Sequence, residues 1–96
     1  SGAALRMTGE IYLEKEDVSA AAQAFNRAIK INPSDAVSLS GYAACLERQD
    51  KNMTIALSLA RNAAALEPEN ALFQQCLGLI QEKINLSQAE TQVKTA

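Results

Sequence analysis

Catalysis and metal binding need particular side chains, and this chain is short of them. Its 96 residues include no histidine, so the commonest general base and the commonest metal ligand are both missing. Two cysteines remain, Cys45 and Cys76. They fall on separate predicted helices among apolar neighbours, where buried structural thiols are expected rather than a redox pair. The acids Glu14, Glu16 and Asp17 read as a solvated turn and helix cap, because no calcium-loop spacing with its central glycine accompanies them. Gly9, Gly41 and Gly78 are single and mid-helix, so no glycine-rich loop is there to cradle a phosphate. With no nucleophile–base pair to assign, we read the chain as non-enzymatic and without a cofactor.

Charge and composition narrow the partners. A formal net charge of −2 removes any general attraction to nucleic acid or anionic lipid. Two tyrosines and two phenylalanines make no stacking platform for single strands. No apolar run approaches the ~18 residues of a membrane span, and no signal-peptide pattern opens the chain. Two lone thiols fall short of a disulfide framework, which favours the cytoplasm. The 48% hydrophobic content is that of a folded domain, and the length allows one core. Protein partners are the class that remains.

The elements that would position any partner site are set by two prolines. Asn32-Pro33-Ser34-Asp35-Ala36 and Glu67-Pro68-Glu69-Asn70-Ala71 are one connector occurring twice. Proline stops the preceding helix, and Asp35 and Asn70 can cap the next. Between connectors, apolar residues recur at helical spacing: Leu5, Tyr12 and Leu13, then Leu39, Tyr42, Ala43 and Leu46. Downstream runs are Ala21, Phe25, Ala28 and Ile29, then Ala56, Leu59, Ala60 and Ala63. A polar break divides each pair of runs, so each unit reads helix, turn, helix.

The break itself repeats three times. Asp17-Val18-Ser19-Ala20-Ala21, Asn52-Met53-Thr54-Ile55-Ala56 and Asn85-Leu86-Ser87-Gln88-Ala89 align without gaps. Phe25 and Ala28, Ala60 and Ala63, and Val93 and Ala96 follow each terminal alanine on one helical stripe. The pattern predicts six helices at about 3–15, 18–31, 36–48, 53–66, 71–83 and 86–95. Small residues at matching places, Gly9, Ala43 and Gly78 or Ala21, Ala56 and Ala89, predict close helix crossings.

At these residues the chain resembles the tetratricopeptide repeat family, whose helix–turn–helix units carry a large–x₂–Leu–Gly–x₂–Tyr run, then Ala–x₃–Phe, then Pro. The first unit matches best, with Leu5, Gly9, Tyr12, Ala21, Phe25, Ala28 and Pro33 in order and Thr8 where leucine is usual. The second has one extra residue in its inner turn. The third has Gln74 and Gln81 where large hydrophobes are expected, a shorter turn and no final proline. The resemblance implies one domain, a right-handed α-solenoid of stacked antiparallel helix–turn–helix repeats at about 2–35, 36–70 and 71–96. It also implies a concave groove, lined by the first helices, that binds a peptide or partner helix.

By register the groove residues are Arg6, Glu10 and Leu13 from the first unit, and Val37, Ser40, Ala44 and Glu47 from the second. The third supplies Leu72, Gln75, Leu79 and Glu82. One subfamily clamps the terminal carboxylate of chaperone tails, and its clamp falls here on Arg6, Glu10, Gly41, Leu72 and Cys76. Only Arg6 suits that task, and Glu10 would repel a carboxylate. No polar terminal cap helix is apparent, so either a longer parent chain or self-association, with homo-oligomers, is expected.

Overall fold

The computed structural model describes residues 1–95, with side-chain surroundings for residues 1–93. It contains five α-helices: α1 (Gly2–Glu14), α2 (Val18–Ile31), α3 (Ala36–Gln49), α4 (Met53–Leu66) and α5 (Ala71–Thr95). Among the described residues there is no strand. Each helix packs on its successor, and α3 also touches both α1 and α5. The packing is that of a helical repeat.

Caps fix the starts. Ser1, Asp17 and Asp35 accept hydrogen bonds from the amides of Ala4, Ala20 and Ser38, each at 3.2 Å. Asn70 accepts from Leu72 and Phe73 at 3.1 and 3.3 Å. Each bond satisfies an amide that the first helical turn leaves unpaired. Asn52 departs from the expected pattern. It sits at φ 49°, makes no side-chain cap bond, and helps accommodate the extra residue of its turn.

Second-helix alanines make up much of the core, together with Phe25, Leu39, Leu46, Phe73 and Ile80. Phe25 is 1% exposed, and its ring fills a slot between α1 and α3. A Cβ at Gly9 would lie 2.7 Å from that ring, and one at Gly41 would lie 2.6 Å away. At the equivalent place in the next unit, Ala60 joins Ala43 and Cys76 in one cluster with Leu46, Ala56 and Ile80. The volumes therefore trade: Phe against two glycines in one layer, Ala against Ala and Cys in the next. Interiors are packed densely enough to require such compensation.

The expected sixth helix and third inner turn are absent, because α5 runs unbroken from Ala71 to Thr95. Left-handed residues help form the other two inner turns, Glu16 at φ 62° and Asp50 at φ 55°. The residue before Asn85 is Ile84, and a β-branched side chain is poorly tolerated in that region. Ile84 instead packs against the Ala43–Ile80 cluster. A tail folded back would also have to cover Gln74 and Gln81, both exposed, and taking polar amides out of water is costly. Accordingly Gly78 meets nothing within 4 Å, and Ala89 and Val93 are exposed rather than packed. The close crossings expected at Gly78 and Ala89 do not occur. Ala96 lies outside the described residues.

Two polar links fasten the first helices to each other. Arg6 Nη1 donates to Asp35 Oδ2 at 3.0 Å, with the Asp35 side chain only 5% exposed. Lys83 Nζ donates to the Glu47 carbonyl at 2.8 Å and to its carboxylate at 3.3 Å, with Asp50 3.6 Å away. The first ties α1 to the start of α3; the second ties α5 to its end.

Helix propensity favours alanine over glycine by about 1 kcal/mol, so the three mid-helix glycines make a controlled comparison in urea unfolding. Gly78→Ala should stabilise by about 0.5–1 kcal/mol. Gly9→Ala and Gly41→Ala should destabilise by about 1–3 kcal/mol through overpacking against Phe25. Asp35→Asn keeps a capping side chain while Asp35→Ala does not, so the alanine variant should be less stable by about 1 kcal/mol more.

Candidate partner-binding groove

The first helices run side by side, so residues at equivalent turns form rungs. Val37 on α3 is level with Leu72 on α5, Ser40 with Gln75, and Ala44 with Leu79. Glu10 and Leu13 of α1 stand level with Ala44 and Glu47. These side chains surround one cavity of about 410 Å3, within the usual range for a ligand site. Nine of the eleven residues expected from register line it: Glu10, Leu13, Val37, Ser40, Ala44, Glu47, Leu72, Gln75 and Leu79.

Arg6 and Glu82 do not line the cavity. Arg6 is drawn to Asp35, where an almost fully buried carboxylate sits within ion-pair distance. Glu82 is exposed one turn beyond Leu79. Register alone could not show this, because it gives a side chain's direction but not a competing partner across the helix gap.

Sequence reasoning passed over part of the wall and the floor. Arg48 joins α3's side, while Phe25, Phe73 and Ile80 are buried residues at the bottom. Gly41 and Cys76, two of the positions on which the chaperone-tail clamp falls by register, also line the cavity. Cys76 is half-buried rather than fully buried, whereas Cys45 is sealed at 0% exposure beside Phe25. Tyr12, expected in packing, is 38% exposed.

The wall is mixed in character. Val37, Leu72 and Leu79 are 38%, 73% and 58% exposed, an aliphatic cluster with little cover. Glu47 is neutralised by Lys83. Glu10 and Arg48 are both exposed, with no ion pair among the described residues. The thiols are unsuited to nucleophilic work at neutral pH. Burial pushes Cys45 up to about 11, against the opposing pull of Arg48. Burial also raises Cys76, offset by a contact with Ser40 and reinforced by the negative charge of Glu47. Among the described residues no group of three His, Cys, Asp or Glu side chains could hold a metal ion. Among the described residues no helix is long and apolar enough to cross a membrane.

Thiolate is the reactive form, so alkylation reads both environments at once. With iodoacetamide at about pH 8 the folded chain should react slowly, Cys76 before Cys45, and Cys45 only on unfolding. Mass mapping of the labelled peptides gives the order. No known protein-family model matches the chain, and comparison with curated proteins gives no match either.

Proposed function

We propose that the chain is a tetratricopeptide-type repeat domain, a right-handed α-solenoid with its last repeat incomplete. It acts as a non-catalytic protein-interaction module in the cytoplasm. The ligand is a peptide or helical segment of a partner protein, held between α1, α3 and α5. One observation carries this reading: three aliphatic side chains, Val37, Leu72 and Leu79, stand exposed on the walls of a single cavity. Clustered exposed aliphatics on a concave face mark an interaction site more often than a neutral surface. Cross-links at both ends of α3 keep the width of that cavity fixed, which lowers the ordering cost of binding.

A self-assembly role is the second reading, and α1 supplies its support. Met7 and Ile11 are 59% and 50% exposed. Their equivalents on α3 are Gly41 and Cys45, which meet Phe25 of α2. The α1 face is thus built like a stacking face and has no further helix against it among the described residues.

Leu72→Ser with Leu79→Ser should leave the melting temperature nearly unchanged, because both side chains are already in solvent. Proteins retained from a lysate by the parent chain should be lost by this double variant. An unchanged set of captured proteins contradicts the groove reading. Peptides ending in a free carboxylate should bind no better than their amidated forms, since Arg6 is committed to Asp35. Light scattering over a concentration series separates the second reading, which requires size to grow with concentration.

A further inference from the structure

The groove has a polarity along its length, and that polarity describes its occupant. At the N-terminal ends of α3 and α5 the wall is apolar, with Val37 and Leu72 and then Leu79 two turns on. Eleven residues beyond Val37 along α3, about 16 Å at 1.5 Å per residue, the character changes. Glu10, Glu14 and Arg48 surround a hollow that continues from the main cavity. Glu82 follows Leu79 by one turn on α5 and is exposed.

The charges at this end do not cancel. Lys83 is taken by Glu47 and Asp50, so it is unavailable to a ligand. Glu10, Glu14 and Glu82 have no ion pair among the described residues. Arg48 is the one base lining the hollow, since Lys15 and Lys51, exposed at the ends of α1 and α3, line neither it nor the main cavity. The C-termini of α1 and α3 point the same way, and each adds partial negative charge. Among the groups lining the hollow, two acids and two helix ends therefore outweigh one guanidinium.

Resting on the groove reading above, we infer that the occupant is a basic amphipathic protein segment. Its aliphatic side chains lie on Val37, Leu72 and Leu79. Its Lys or Arg side chains reach the Glu10, Glu14 and Glu82 end. Opposite charge steers such a segment to the groove and fixes its direction there, while an acidic segment meets repulsion at the same end.

The test uses the whole chain and dye-labelled synthetic peptides of about 14 residues, some 21 Å as a helix, read by fluorescence anisotropy. One peptide carries Leu on one face and Lys on the other; a second replaces Lys by Glu; a third replaces Leu by Ala. The Leu/Lys peptide should bind at least about tenfold tighter than the other two, and its affinity should fall as salt shortens the Debye length below about 10 Å. Glu10→Lys with Glu82→Lys should shift the preference about tenfold toward the Leu/Glu peptide. Glu67→Lys with Glu69→Lys, in the outer connector, should change nothing.

Equal binding of the Leu/Glu peptide, or an equal effect of the connector variant, overturns the charge assignment and leaves the groove reading in place. Leu/Lys binding that survives Leu72→Ser with Leu79→Ser overturns the groove reading itself. Absence of binding by both leucine-bearing peptides overturns the two together.

Discussion

Everything in the first two layers is arranged around one aromatic ring. Phe25 can lie between α1 and α3 only because Gly9 and Gly41 present bare backbone to it. That wedge sets the spacing of the two helices, and the spacing sets the mouth of the cavity above it. Phe25 belongs to a second helix, yet it forms part of the cavity floor. A dispersion contact in the core thus determines the geometry of a surface feature. Close packing transmits such constraints because interiors have little free volume to absorb a misfit.

Polar links then hold what the wedge spaces. The Asp35 carboxylate does two jobs, capping α3 through one oxygen and receiving Arg6 through the other. Lys83 caps the far end of α3 by donating to the Glu47 carbonyl, where a cation complements the helix dipole. Charges that the sequence pattern offers to a ligand are in this way taken up by the frame. What the frame leaves over is an aliphatic stretch and a short acidic end.

Much of this is legible in the residues themselves. Periodicity, prolines and caps place α2 and α4 at their observed bounds and α1 and α3 within a residue, because local chemistry decides each of those ends. Register brings most of the groove residues together, since equivalent turns of parallel helices necessarily align. The failures share one physical origin, which is that an aligned motif says nothing of whether a neighbour exists to receive it. Asn85 begins a segment patterned like the other second helices. Ile84 before it resists a left-handed turn, and the glutamines Gln74 and Gln81 offer no apolar bed, so α5 continues straight. Arg6 fails for a related reason: its destination is decided by Asp35, 29 residues away in the chain.

The central claim is that a guest segment lies across α1, α3 and α5 on the concave side. Amide chemical-shift mapping during titration with the Leu/Lys peptide addresses it most directly. The account predicts that the largest shifts gather at Ser40, Ala44, Gln75 and Leu79, with Arg27, Asn62 and Leu66 of the outer helices unmoved. Shifts gathered on those outer residues, or spread evenly over both faces, would contradict it.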